Sequence, residues 1–199
     1  MQRDSRLSDQ TDESLMLRFG QGDIKAFEEL YCRHETGSWR FIVRNVRVQE
    51  AADDLLQDVW FSVARKAASY EPRAKFRTWL FTIAHNRVID YFRESRVDIS
   101  LDAQADSDDL NQMPALIDEL AADSGFGPLR QLESREQALA LLHAIEQIPF
   151  EQREAFLLQA EAGMSVAEIA STTGVNFETA KSRLRYARSR LRELLQDFA

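Results

Sequence analysis

One stretch constrains the fold more than any other: Ser165-Val-Ala-Glu-Ile-Ala-Ser-Thr-Thr-Gly-Val-Asn-Phe-Glu-Thr-Ala-Lys-Ser-Arg-Leu-Arg. Ser165 is placed to cap a short helix that turns Val166, Ile169 and Ala170 inward. The small Ala170 lets two helices cross closely, and Gly174 permits the positive φ of a tight turn. Val175 then plugs the core, and a second helix starts near Phe177. Its inner stripe is Ala180, Leu184, Ala187, Leu191 and Leu194; its outer stripe is Glu178, Lys181, Ser182, Arg185, Ser189 and Arg192. From Lys181 to Arg192 there are six basic residues and no acidic one. Arginine's planar fork suits base edges and phosphates. A helix-turn-helix is therefore expected here, with the N-terminal part of its second helix entering a major groove. The competing reading is a plain helical hairpin with an exposed basic face.

The rest of the chain reads as helical too. Apolar residues make up 44% of it, enough for packed cores, and alternating strand-like runs are hard to find. The expected fold is all-α: two small helical domains joined by a flexible acidic linker, the second with the helix-turn-helix. The boundaries are a flexible N-terminal tail at 1–11, a first domain at 12–97, the linker at 98–133 and a second domain at 134–199. In the first domain, Asp23 caps a helix over Ile24–His34. A helix from about Glu50 to Lys66 buries Leu55, Leu56, Val59, Trp60 and Val63, and presents Asp54, Gln57, Asp58, Phe61 and Arg65 on the opposite stripe. A long helix, about Arg77 to Glu94, packs Leu80, Ile83, Ala84, Val88 and Tyr91 inward, while Asn86, Asp90 and Arg93 share another face. In the second domain, helix Arg135–Gln147 buries Leu139, Leu142 and Ile145 and is broken by Pro149. Helix Glu151–Ala162 follows and ends at Gly163.

A net charge of −8 argues at first against nucleic acid. Its distribution reverses that. The linker holds nine acidic residues opposed only by Arg130, which accounts for the whole imbalance and leaves the remainder neutral. Local basic clusters then decide binding, because the field at the contact face matters more than total charge. One such cluster lies in Tyr70-Glu-Pro-Arg-Ala-Lys-Phe-Arg-Thr-Trp-Leu-Phe-Thr-Ile-Ala-His-Asn-Arg-Val-Ile-Asp-Tyr-Phe-Arg, where aromatic and basic residues interleave. Single-stranded nucleic acid is held by such mixtures. Trp79 and Phe92 fall to the core on spacing, whereas Asn86 and Arg93 fall off the apolar stripe and are candidates for DNA contact.

Other chemistries find little support. His34, His85 and His143 are scattered, Asp53 and Asp54 point to different sides of their helix, and no Gly-rich phosphate loop occurs. No catalytic residue, metal ligand or cofactor is assigned. The single cysteine, Cys32, reads as a half-buried small apolar residue. No window approaches the roughly 18 apolar residues of a membrane span, and the polar N-terminus is no signal peptide. A cytoplasmic protein without direct membrane insertion is expected.

Four motifs follow one another in order: Ala26-Phe-Glu-Glu-Leu-Tyr, Ala52-Asp-Asp-Leu-Leu-Gln-Asp-Val-Trp, Phe76-Arg-Thr-Trp-Leu-Phe-Thr-Ile-Ala-His-Asn and the helix-turn-helix. The ordered set resembles the extracytoplasmic-function (ECF) branch of the sigma-70 superfamily, over everything but the tail and the linker. The resemblance implies a sigma region 2 domain and a sigma region 4 domain serving stress-type transcription initiation. It implies that Asp54, Gln57, Asp58 and Phe61 dock on the clamp helices of the largest subunit of RNA polymerase core. The helix carrying Asn86, Arg87, Asp90 and Arg93 would engage the −10 element, with Asn86 reading a flipped base. Thr179, Lys181, Ser182, Arg183 and Arg185 would read the −35 element as duplex, with Arg188 on phosphate. The resemblance also implies an anti-sigma factor as a partner besides polymerase and promoter DNA. The linker would either mimic nucleic acid on a basic channel or serve as a solvated tether. Two departures stand out: Gln159 and Tyr186 occupy positions where some relatives are basic, so promoter bases do not transfer. The rival from another class is an autonomous helix-turn-helix repressor or activator, dimeric on two half-sites; the third class is an enzyme.

Overall fold

The computed structural model describes residues 5–101 and 135–196. The linker from 102 onward lies outside the described residues. Among the described residues there is no strand, as the all-α expectation required. The chain divides into two compact units, Met1–Ile89 and Asp90–Ala199.

The first unit holds α1 (Ser5–Ser8), α2 (Asp12–Gly20), α3 (Ile24–Val46), α4 (Gln49–Lys66), a 3₁₀ turn at Ala67–Ser69 and the start of α5 (Phe76–Leu101). Local chemistry sets the helix ends. The Thr11 side chain accepts the Ser14 N–H to cap α2. Asp23 accepts the Lys25 and Ala26 N–H groups at 3.1 and 3.3 Å to cap α3. Helix α3 ends on Arg47, whose left-handed φ of 65° lets its N–H return to the Val43 carbonyl.

The expected stop at His34 is wrong: α3 runs on to Val46. Thr36, Gly37 and Ser38 weaken helix propensity. Beyond them, however, Phe41 and Ile42 are fully buried, and each such side chain stabilises by about 1.5–3 kcal/mol. Packing outweighs propensity. The Ser38 hydroxyl also donates to the His34 carbonyl at 2.8 Å, so its buried oxygen costs little. The core joins Leu15 and Met16 of α2, Leu30 and Phe41 of α3, Val59 and Val63 of α4, and Phe76, Leu80, Phe81 and Val88 of α5. Phe41 and Phe81 meet edge to face, 5.6 Å between ring centres. Leu55 and Tyr91, assigned to the inner stripes, are only half-buried because they sit at the stripe edges. Cys32 corrects another expectation: it is exposed, on the outer side of α3.

The stretch set apart as a tail is tied to this unit from Leu7 onward. Leu7 is buried. A guanidinium has five N–H groups, and those of Arg33 find Glu29, Asp12 and the carbonyls of Leu7, Ser8 and Gln10 at 2.8–2.9 Å. His34, one turn up from Leu30, contacts the other Asp12 oxygen at 2.7 Å. Burial pushes the Asp12 carboxyl up, but the His34 hydrogen bond and charge, followed by those of Arg33, outweigh it and hold the group below its free value.

The second unit contains α6 (Arg135–Glu146), α7 (Phe150–Ala162), α8 (Val166–Thr173) and α9 (Phe177–Leu194). Its core joins Leu141, Leu142 and Ile145 of α6, Leu157 and Leu158 of α7, Ile169 of α8, and Ala180, Leu184, Ala187 and Leu191 of α9. Leu139, Val166, Val175 and Leu194, expected inside, are half-buried. Leu141 takes the inward place assigned to Leu139, because the buried stripe of α6 is rotated toward Ala138, Leu141 and Leu142. Gly163 ends α7 at φ 66°. Helix α5, meanwhile, carries on to Leu101, past the point at Asp98 where the linker was expected to begin.

Candidate functional site

The helix-turn-helix forms as its local chemistry demands. Ser165 Oγ accepts the Glu168 N–H at 3.3 Å, and Glu168 accepts the Ser165 N–H at 2.8 Å, a reciprocal capping box. Gly174 takes φ 67° and lets the chain reverse, with the Val175 N–H on the Ala170 carbonyl. Asn176 then caps α9 by accepting the Thr179 N–H at 2.8 Å. That entry orients α9 so that Ala180, Leu184, Ala187 and Leu191 face inward and Lys181, Arg185, Arg188 and Arg192 are exposed together, at i, i+4, i+7 and i+11. Thr179, Ser182 and Arg183 are half-buried at the edge of this stripe.

The cations of α9 have different partners. Lys181 lies 3.7 Å from Glu178, and Arg190 lies 3.3 Å from Glu193. Arg185 donates to the Tyr186 hydroxyl at 3.2 Å, its guanidinium 4.9 Å from that ring's centre. Arg188 donates to Gln159 Oε1 of α7 at 2.5 Å. The exposed ion pairs are worth little in water, so they hold these side chains only weakly.

In the first unit, Asp54, Gln57, Asp58 and Phe61 are all exposed on α4, with Phe61 at 63%. An exposed ring of that size flanked by carboxylates is a surface feature that the fold does not require. The neighbouring Asp53 is used otherwise: it accepts the Trp39 indole N–H at 2.7 Å and ties α3 to α4.

On α5, Asn86 is exposed and Asp90 and Arg93 sit 3.5 Å apart near the surface. Arg87 is placed differently. It is half-buried, and its guanidinium donates to Ser62 Oγ of α4 at 3.0 Å. In the first turn of α5, the half-buried Trp79 meets Tyr70, which precedes the helix, edge to face at 5.0 Å, and Tyr70 meets Phe76 at 6.3 Å. Burial, then the charges of Glu13 and Asp12, push the Tyr70 phenol up to about 12, so it stays neutral.

Two residues of this surface escaped the sequence reading as contributors, Gln159 and Tyr186. Each was singled out only for not being basic; their contacts with Arg188 and Arg185 need the folded unit. Among the described residues, no group of three or more His, Cys, Asp or Glu side chains is disposed to hold a metal ion, and no helix is long and apolar enough to cross a membrane.

An exposed acidic-aromatic face on one helical unit, and a helix-turn-helix with a cationic stripe on the other, define a class of multi-region DNA-binding transcription factor. The comparisons specify it. Sigma-70 region 2 matches residues 30–97, and Sigma-70, region 4 matches residues 138–191. The RNA polymerase sigma factor CarQ of Myxococcus xanthus is 36% identical over 180 residues, covering 90% of this chain and 95% of CarQ. The ECF RNA polymerase sigma factor RpoE of Cereibacter sphaeroides is 32% identical, covering 94% of this chain and 96% of that protein. Among solved structures, the sigma factor RpoE of Bartonella quintana, crystallised with the anti-sigma factor NepR, is similar with a TM-score of 0.67 and 25% identity, over 86% of this chain and 98% of that one. The chain belongs to the ECF group of sigma-70 RNA polymerase sigma factors. It is a transcription initiation factor that works with core polymerase on promoter DNA, which sets aside the autonomous repressor or activator.

Proposed function

We propose that residues 12–97 act as the region 2 domain and 134–199 as the region 4 domain, joined by the acidic stretch 98–133. In this reading Asp54, Gln57, Asp58 and Phe61 engage the clamp helices of core polymerase. Asn86, Asp90 and Arg93, with Arg87, face the opened −10 element. Thr179, Lys181, Ser182, Arg183 and Arg185 read the −35 duplex, and Arg188 holds its backbone. The protein acts in the cytoplasm and catalyses no reaction of its own. An anti-sigma factor restrains it; the similarity to the Bartonella quintana sigma factor solved with NepR supports this control.

The observation that carries the residue assignments is the exposure of Lys181, Arg185, Arg188 and Arg192 along one side of a capped recognition helix. Cations so placed neutralise phosphates, and arginine forks read guanine edges. Run-off transcription with bacterial core polymerase, over a library of promoters from the host, tests the reading. Transcripts that require the protein and disappear with Asn86→Ala or Lys181→Ala are the expected result. Undiminished transcription by both variants would overturn the assignments.

A further inference from the structure

From the bond between Arg188 and Gln159 we infer that Gln159, which lies outside the helix-turn-helix, is a positioning residue for the DNA backbone contact. The inference rests on the reading above, in which Arg188 meets a −35 phosphate. Four of the cations on α9 have a side-chain partner among the described residues, and these partners fall into two chemical kinds. Glu178 and Glu193 are anions, so the Lys181 and Arg190 charges are partly met before any DNA arrives. The partners of Arg185 and Arg188 are neutral, a phenol and an amide.

The Arg188 arrangement is the one built between elements. Gln159 stands on α7, half-buried, twenty-nine positions before Arg188, and its Oε1 accepts from Nη2 at 2.5 Å. The backbone around Gln159 is itself anchored, since its carbonyl accepts the Gly163 N–H at 3.0 Å in the cap of α7. An exposed arginine otherwise samples many rotamers and loses that freedom on binding. An acceptor on a fixed neighbouring helix removes part of that cost in advance. Because an amide is uncharged, it does so without cancelling the charge that phosphate needs. One guanidinium nitrogen is engaged by Gln159, which leaves the remaining N–H groups to donate to an anion.

A glutamate at 159 separates positioning from charge. It would hold Arg188 equally well but neutralise it and set an anion beside the DNA backbone. An alanine would free Arg188 while leaving its charge intact.

The test is promoter binding by holoenzyme, reconstituted from bacterial core and the full chain. The probe is a promoter fragment selected by wild-type run-off transcription, titrated across a salt series. Arg188→Ala is expected to lower the slope of log affinity against log salt by about 0.9, one phosphate's share. Gln159→Glu should lower it by the same amount. Gln159→Ala should weaken binding about two- to tenfold, keep the slope, and have no further effect in the Arg188→Ala background. Additive losses in that double variant, or a wild-type slope for Gln159→Glu alongside a reduced slope for Arg188→Ala, would overturn the role of Gln159 alone. A wild-type affinity and slope for Arg188→Ala would overturn it together with the phosphate assignment beneath it.

Discussion

Glu13 Oε1 accepts the backbone N–H of Phe76 at 2.7 Å, across 63 positions of chain. Phe76 is the first residue of α5, the helix that carries Asn86. A helix leaves its first N–H groups without intrahelical partners, and here one of them is met by a carboxylate from the first turn of α2. The same turn carries Asp12, bound to Arg33 and His34 of α3. Two consecutive acidic residues thus tie α2 to α3 and to the start of α5.

Glu13→Ala should therefore destabilise the first unit by about 1–2 kcal/mol, the cost of a lost cap on a part-buried donor. Glu13→Gln keeps an acceptor oxygen and should lose less. Urea unfolding followed by circular dichroism gives both numbers. Equal losses for the two variants would show that charge, not the acceptor, matters there.

Asp12 makes the first unit acid-sensitive. Its folded pKa lies below the free value of 3.8, so folding favours the carboxylate. That stabilisation is complete above the unfolded pKa and disappears as pH falls through the lowered folded value. Asp12→Asn should be less stable than wild type near neutral pH, with the gap closing below pH 3.8. Denaturant midpoints across that range check it; a gap independent of pH would contradict the linkage.

Gly20→Ala should destabilise although it places a better helix former inside α2. A Cβ at Gly20 would lie 2.5 Å from the Ala67 carbonyl oxygen and 3.2 Å from its carbon. Both are backbone atoms of the 3₁₀ turn and cannot rotate away. Overpacking of this kind costs about 1–3 kcal/mol, more than the propensity gain of up to about 1 kcal/mol. A raised thermal midpoint for this variant would show that the turn moves freely.

Asn86 and Arg87 are neighbours in sequence that should respond differently. Asn86 is exposed, so Asn86→Ala should change stability by less than about 0.5 kcal/mol while removing promoter opening. Arg87→Ala loses the bond to Ser62 and should cost about 1 kcal/mol. Thermal melts of both, beside permanganate footprinting of the −10 region by holoenzyme, separate the two effects.

What could be read from the sequence was what local spacing specifies. Ser165 and Gly174 cap or reverse the backbone close to them in sequence, so the turn and the cap of α8 follow from their order, whereas the part of Glu168 in the capping box and Asn176 as the cap of α9 were not predicted. The alternation of faces on α4 likewise identified Asp54, Gln57, Asp58 and Phe61 as an outward set, because a helical period places side chains independently of what they meet. Helix α2, the continuation of α3 through Gly37 and Ser38, and the exposure of Cys32 were not predicted. The reasons are physical: α2 is short and held by side chains from elsewhere, and α3 persists because Phe41 and Ile42 find a core. Only the tertiary structure decided that Arg33 would gather the carbonyls of Leu7, Ser8 and Gln10, that Arg87 would turn toward Ser62, and that Arg188 would meet Gln159. A side chain's period fixes the direction it leaves its helix; its partner is set by which other helix the hydrophobic core brings within about 3 Å of its polar end.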